Sequence, residues 1–260
     1  MTSNDWKPDL YLRFKKERTQ ASIDLTARIK LESPKNIIDI GCGPGNSTQI
    51  LAHRWPEAKI LGIDSSPAMI QKAKEEFPLQ DWAEMDAANL HLPNKFDLVF
   101  SNAAIQWLPD HDKLLADFWK VINTNGALAV QIPLYHLMPI SSIVEETAKS
   151  DKWNDAFKTL VTKLTINEAG YYYDVLSRFT DNISIWESRY QHVMNSHSEI
   201  FEMLRSTGIK PYLERLSNDR EKEEFAAIVI EKMAGFYPVQ KDNKVLLPFN
   251  RLFFIAYKNK

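Results

Sequence analysis

Asn36-Ile37-Ile38-Asp39-Ile40-Gly41-Cys42-Gly43-Pro44-Gly45-Asn46 is the stretch that decides the fold. A short apolar run ends at Asp39-Ile40, three glycines follow within five residues, and a helical pattern begins near Ser47. The chain has eight glycines in 260 residues, so their concentration here is specific to this turn. Glycine reaches positive φ and lets a ligand approach the backbone. A glycine-rich turn at the carboxyl end of the first strand is where open α/β sheets bind nucleotides. The competing reading is an ordinary tight turn, but one or two glycines would serve that and Asp39 would have no purpose.

Outward from this loop, the first two thirds of the chain alternate in pattern. Strand candidates lie at 36–40, 59–63, 81–85, 96–101 and 127–132, with helix candidates near 47–55, 67–77 and 110–122. That alternation means βαβ units and a mostly parallel sheet with right-handed crossovers. A leading helix near 8–29 precedes the first strand. Pro8 suits its first turn, and Ser33-Pro34 closes the segment. After about Pro133 the pattern turns helical, near 140–149, 170–179, 196–205 and 221–233. Two strand candidates remain, 184–194, which alternates, and 252–257, which is continuously apolar. They are expected to pair like a hairpin at one sheet edge, with 196–247 as a helical cover over the strand ends.

Composition narrows the function classes. Apolar residues make up 44% and charged residues 25%, as in a globular protein able to bury a full core. The length suggests one large domain or a domain with an appendage. The single Cys42 excludes an internal disulfide framework and a cysteine-rich zinc site. Inside the loop it reads as a small packing residue. The six histidines are scattered, so no metal is expected. Net charge −2 argues against nucleic acid as partner. No apolar run approaches a membrane span, and Met1-Thr2-Ser3-Asn4-Asp5-Trp6 lacks a signal-peptide pattern. A cytoplasmic protein is expected, acting as a monomer on a small molecule.

The loop's chemistry restricts its ligand. A dinucleotide fingerprint needs a third glycine where Asn46 stands, and there is no phosphate-cradling P-loop. A carboxylate at Asp39 repels phosphate and attracts a cationic amine. Asp64 ends the second strand about 20 residues after the loop, where a carboxylate accepts ribose hydroxyls. Asp86 ends the third and would accept an adenine amino group. Either aspartate could instead be a helix cap or turn residue. Together, Asp39, Gly41, Gly43, Asp64 and Asp86 describe a ligand with an amino group, a ribose and a base but no phosphate. S-adenosylmethionine is such a ligand.

At these residues the chain resembles the class I S-adenosylmethionine-dependent methyltransferases. Further segments narrow the likeness to the trans-aconitate methyltransferase family. They are Trp6-Lys7-Pro8, Leu10-Tyr11-Leu12, Glu17-Arg18, Gly41 to Thr48, Arg54-Trp55-Pro56, Gly62 to Ile70, Asn102-Ala103, Gln106 to His111, Tyr172-Tyr173-Asp174, Thr207-Gly208, Pro248-Phe249 and Arg251-Leu252-Phe253. The resemblance implies a Rossmann-like fold with seven strands, mostly parallel with the last antiparallel, plus the helical cover. It implies an N-terminal helical segment at 1–32 closing the site and a cofactor-binding core at 33–135. Residues 136–260 would hold the remaining strands and the substrate cover. It implies methyl transfer to a carboxylate of trans-aconitate, giving the monomethyl ester and S-adenosylhomocysteine. Ser65, Ala87 and Asn102 join the cofactor set on this resemblance. One segment departs from the family: an Asp-Asn pair is expected after Pro133, and Leu134-Tyr135 stands there.

The reaction asks for alignment more than for a base. A carboxylate with a pKa of about 4 is ionised at pH 7, so no general base, and no catalytic residue in that sense, is expected. A tricarboxylate calls for Arg, Tyr, Trp or His donors, Arg best of all. Tyr11, Phe14 and Arg18 fall at i, i+3 and i+7 on the leading helix. Tyr11 is then a substrate candidate, and Arg18 a holder of the cofactor's carboxylate or of substrate, against packing and a surface ion pair. Arg251, Trp107, Tyr190 and His192 complete the substrate set, against plain packing for Trp107 and a surface or core role for His192. The alternatives are an acid borne on a carrier such as a malonyl carrier protein, a non-catalytic cofactor-binding module and a nicotinamide dehydrogenase.

Overall fold

The computed structural model describes residues 14–90, 92, 94–160 and 164–259. Helix α1 (Lys15–Arg28) leads into β1 (Asn36–Ile40), α2 (Asn46–Arg54), β2 (Lys59–Asp64), α3 (Pro67–Glu76) and β3 (Asp81–Glu84). Then come β4 (Phe96–Asn102), α4 (His111–Lys120) and β5 (Ile122–Pro133). Short helices and the last strands follow: α5 (Pro139–Ala148), α6 (Asn154–Phe157), α7 (Ala169–Leu176), β6 (Ile183–Met194), α8 (His197–Arg205), α9 (Lys210–Leu213), α10 (Asp219–Met233) and β7 (Val245–Tyr257). The strands form one seven-stranded sheet in the order β3-β2-β1-β4-β5-β7-β6. β1 pairs parallel with β2 and β4, and β7 pairs antiparallel with β5. As expected, the last two strands are neighbours at one edge of the sheet.

β1, β4 and β5 are apolar because both faces of the central sheet are covered. Ile37, Ile38, Ile40, Leu98, Val99, Phe100 and Ala127 to Val130 are all fully buried. β5 starts five residues before its apolar run, at Ile122, and its register against β4 shifts between Phe96 and Leu98. The irregularity frees Asp97 to bind the start of β1. Its carboxylate accepts Lys35 N at 2.7 Å, Asn36 N at 3.0 Å and Asn123 Nδ2 at 2.8 Å. β7 also starts early, at Val245, where burial alternates rather than running continuously.

The chain divides into two compact units, Met1–Pro133 with Lys163–Ser188 and Arg251–Lys260, and Leu134–Thr162 with Arg189–Asn250. In the first, α1 packs on α2, and Arg54 Nη2 and Trp55 Nε1 donate to the carbonyls of Ile29 and Leu31. The second is built on α5 and α10. Ile140, Ile143, Val144, Thr147 and Ala148 form the buried stripe of α5 at helical spacing, and Phe225, Val229 and Met233 that of α10. Trp153, Phe157 and Tyr212 pack around the Phe225 ring. Among the described residues no helix is long and apolar enough to cross a membrane.

Burial pushes the Asp97 carboxyl up, but the bonds from Asn123, Asn36 and Lys35 together outweigh it and hold it below the ordinary range. Its contribution is therefore present above the unfolded pKa and lost as pH falls through the folded one. Asp97→Asn is expected to cost about 1.5 kcal/mol at pH 7 in urea unfolding, with the gap to the parent closing toward pH 3.

Candidate active site

β1 stands where the strand order reverses, so the loops after β1 and β4 diverge and leave a crevice at their carboxyl ends. The glycine loop occupies this point. Gly41 N and Cys42 N both donate to the carbonyl of Ile63, at 2.8 and 2.9 Å, tying the turn to β2. Gly41 and Gly43 have φ of 71° and 55°, where other residues are strained. Their surroundings differ. A Cβ on Gly41 would lie 2.2 Å from Ala104 Cβ, whereas one on Gly43 would meet nothing within 4 Å. Gly41 admits the segment after β4, and Gly43 keeps an open approach.

The aspartates have distinct tasks. Asp64 accepts Gly43 N through Oδ2 at 3.0 Å and Ser66 N through Oδ1 at 2.9 Å, joining the loop to the start of α3 beside exposed Ser65. Burial raises its pKa, against the lowering effect of bonds from Ser66, Gly43 and Ser65. Asp86 caps the turn Ala87–Asn89, accepting Ala88 N at 2.9 Å and Asn89 Nδ2 at 3.1 Å. A carboxylate oxygen accepts two bonds, so both residues keep acceptor capacity toward a ligand. Asp39 is fully buried, and its Oδ2 accepts Ser47 Oγ at 2.6 Å and Thr48 Oγ1 at 2.7 Å. It fastens the start of α2 to the end of β1. Its Oδ1 has no partner among the described residues. Burial raises its pKa to about 6, opposed by the two hydroxyl bonds. Cys42 is buried, and desolvation holds its thiol well above the usual range, so it packs.

A small pocket lies against the loop, lined by Thr19, Ser22, Gly41, Cys42, Pro44, Asn46, Ser47 and Asn102. Thr19 Oγ1, Ser22 Oγ, Asn102 Oδ1 and both side-chain heteroatoms of Asn46 are buried without a hydrogen-bond partner among the described residues. A buried polar atom without a partner costs about 1–3 kcal/mol, so such a cluster marks a place built for a polar ligand. Its mixed donors and acceptors fit the amino-acid end of S-adenosylmethionine and offer no concentrated positive charge for a pyrophosphate.

The segment after β4 is held under strain. Ala103 and Asp110, at its two ends, have φ of 54° and 50°, a conformation costing roughly 1–2 kcal/mol for a residue with a Cβ. Between them, Ile105–Trp107 forms a turn, with Trp107 half-buried. Gln106 Nε2 donates to the carbonyl of Ala103 at 2.7 Å. His111 Nε2 meets the carbonyl of Ile105 at 2.8 Å, and His111 Nδ1 the hydroxyl of Tyr172 at 2.7 Å. Two distant segments of the family likeness thus meet in one hydrogen-bond chain.

Arg251 is 3% exposed on β7, in register with Pro133, and its Nη1 donates to Gln131 Oε1 at 3.3 Å. Asn102 is the β4 register partner of Gln131, so the carboxyl ends of β4 and β5 and the middle of β7 carry a polar row. Tyr190 and His192 belong to the second unit. Their rings stack at 6.1 Å on one face of β6, as the alternation expects, and His192 meets Phe249 edge-on. Tyr11 lies outside the described residues. Arg18 falls within α1, its side chain outside them. Leu134 and Tyr135, the departing pair, are buried, and the Tyr135 ring fills the space a Cβ on Gly208 would take. Among the described residues no cluster of His, Cys, Asp or Glu could hold a metal.

A methyltransferase-domain family profile matches residues 37–126, the stretch from β1 into β5. The chain is 38% identical over 257 residues to a trans-aconitate 2-methyltransferase of Escherichia fergusonii, covering 99% of this chain and 100% of that one. It is 39% identical over 253 residues to the enzyme of that name from Escherichia coli O139:H28, covering 97% and 98%. The chain belongs to the trans-aconitate 2-methyltransferase family. The fold is also that of the Bacillus subtilis YcgJ protein (TM-score 0.58, 12% identity, 93% of this chain and 99% of that one). It is shared with a Haemonchus contortus phosphoethanolamine N-methyltransferase crystallised with S-adenosylhomocysteine (TM-score 0.56, 16% identity, 97% and 60%).

Within this trans-aconitate 2-methyltransferase framework, Thr19, Ser22, Asn46 and Gln131 went unread as site residues in the sequence. A signal was present for two of them. Thr19, Ser22 and Thr26 recur at i, i+3 and i+7 on α1, all with buried hydroxyls lacking partners among the described residues. A hydroxyl stripe on a buried helical face calls for partners from elsewhere.

Gly43→Ala is expected to lower Tm by about 2–8 °C through backbone strain and to weaken S-adenosylhomocysteine binding more than about tenfold in calorimetry. Gly41→Ala adds a clash with Ala104 and should destabilise more, by about 3 kcal/mol. Asp39 has a folded pKa above its unfolded one, so its contribution is lost as pH rises toward 6 and then levels off. In ligand-free protein, the stability advantage of Asp39→Asn should therefore open between about pH 4 and pH 6 and stay constant above, on the order of 2 kcal/mol in denaturant titrations.

Proposed function

We propose that this chain transfers a methyl group from S-adenosylmethionine to a carboxylate of trans-aconitate, releasing the monomethyl ester and S-adenosylhomocysteine. The observation that carries the reading is the near full-length identity to trans-aconitate 2-methyltransferases. The loop chemistry supports it, since the pocket residues suit an amino-acid end and the sequence has no phosphate-cradling P-loop.

In this reading, Thr19, Ser22, Asn46 and Asn102 hold the amino-acid end of the cofactor, with Arg18 near by in sequence. Asp64 accepts the ribose hydroxyls. Asp86 and the Ala87 turn take the adenine, and Gly41, Gly43 and Ser65 shape the cradle. Asp39 acts through the loop it fastens. Bound S-adenosylmethionine supplies an already activated methyl electrophile. The protein's own work is to place the acceptor oxygen about 3–3.5 Å behind that methyl and to exclude water. No residue needs to remove a proton, because the acceptor is ionised at neutral pH. Arg251 holds a non-reacting carboxylate with a planar fork, its orientation set by Gln131. Trp107 walls the reacting centre, and Tyr11, Tyr190 and His192 supply further donors from their own segments. The enzyme is read as a cytoplasmic monomer acting on a free tricarboxylate.

The test is S-adenosylhomocysteine formation across trans-aconitate, cis-aconitate, citrate, isocitrate and a malonyl carrier protein. Trans-aconitate is expected to have the highest kcat/KM. Arg251→Lys, which keeps the charge but loses the fork, should lower that value at least about tenfold while cofactor affinity stays within about threefold. Preference for another acid would discard the acceptor and keep the cofactor site.

A further inference from the structure

The structure assigns His111 as a positioning residue for the methyl transfer, locked by Tyr172 and acting through the Ile105–Trp107 turn. The inference rests on the proposed reaction and names a residue outside the set that touches either substrate.

The carbonyl of Ile105 can only accept, so the 2.8 Å contact with His111 requires a proton on Nε2. Burial disfavours a second proton on the ring, so Nδ1 is bare and accepts the Tyr172 hydroxyl at 2.7 Å. Both ring nitrogens are used, and the imidazole is held neutral in one tautomer and one orientation. His111 is 1% exposed and Tyr172 fully buried, stacked on Phe254 of β7 at 5.1 Å between ring centres. The pair therefore stands on the rigid sheet.

What it holds needs holding. Ala103 and Asp110 are strained at either end of the segment. Within it the carbonyl of Ile105 also accepts Leu108 N, and the carbonyl of Gln106 accepts Thr165 N at 2.8 Å. Ala104 is the residue that fills the space beside Gly41, and Trp107 ends the turn. One histidine thus fixes a turn that touches the cofactor loop on one side and carries the proposed wall of the reacting centre on the other. Such strain at both ends is retained where the surroundings over-determine the conformation.

Two substitutions separate this role from plain packing. In His111→Gln the side-chain amide reaches the place of Nε2 and keeps a donor for Ile105. In His111→Asn it reaches only the place of Nδ1, so Tyr172 keeps a partner and Ile105 loses its own. Three quantities are measured for both, and for Tyr172→Phe: Tm, the kcat and KM for trans-aconitate with S-adenosylhomocysteine affinity alongside, and the indole ¹H–¹⁵N resonance of Trp107, assigned with Trp107→Phe. His111→Asn is expected to lower kcat by about 10- to 100-fold with cofactor affinity changed less than about threefold, and to shift or broaden the Trp107 resonance. His111→Gln should stay within about threefold of the parent in kcat and keep the resonance in place, and Tyr172→Phe should move both readouts in the direction of the Asn variant. Equal losses in the Asn and Gln variants, or a fall in Tm with kcat and the resonance unmoved, would overturn the assignment. Should the parent not turn over trans-aconitate, the acceptor reading fails. The resonance comparison still decides the role of His111.

Discussion

The turn after β1 is held by its neighbour rather than by itself. The carbonyl of Ile63 takes two of its amides and the carboxylate of Asp64 takes a third, so the loop is suspended from the end of β2. The open side at Gly43 is left free for a ligand. This arrangement requires β1 and β2 to be adjacent and parallel and to end level, which the register from Asn36 with Lys59 to Ile40 with Ile63 provides. Every other site feature is placed relative to that suspended loop: Asp39 beneath it, Ala104 against Gly41, and the cavity beside it.

The polar cost of the site is concentrated and local. Unpartnered hydroxyls and amides, a buried Asp39 and two strained non-glycine residues lie within the loop, α1 and the segment after β4. Behind them the central strands bury apolar runs, Ile37-Ile38, Leu98 to Phe100 and Ala127 to Val130, that offset that cost. Buried polar atoms without a partner among the described residues also occur at Tyr135 and Trp153, and positive φ at Asn125 and Asn243, but around the loop the two kinds of departure coincide. The His111–Tyr172 pair shows the other side of this economy: both groups are fully used, and the strained segment is fixed by them.

Much of the fold was legible in the sequence because the central strands are short, apolar and punctuated. β1 matches its expected bounds, and β2, β3 and β4 differ by one residue. Legibility failed where burial alternates or the ladder is broken. The first half of β7 carries Pro248 and Asn250 at half-buried positions that alternate with buried ones, so only its continuous part, from Leu252, resembles a strand. The start of β5 runs through Asn123, Asn125 and Gly126, with Asn125 at φ 64°. The site was legible at the loop and the strand-end aspartates, since glycine and carboxylate spacing is stereotyped. The hydroxyls of α1 and the tautomer of His111 were not, because their meaning depends on partners far away in the chain. At Leu134-Tyr135, where the chain departs from the family pattern, the tyrosine packs where Gly208 makes room for it.

The most direct measurement follows a ¹³C-labelled methyl group from S-adenosylmethionine through a single turnover with trans-aconitate and locates it in the product by NMR. The expected result is one labelled methyl ester on trans-aconitate, formed in equal amount with S-adenosylhomocysteine. Label remaining on sulfur, or released as methanol with no ester formed at any time point, would contradict the account.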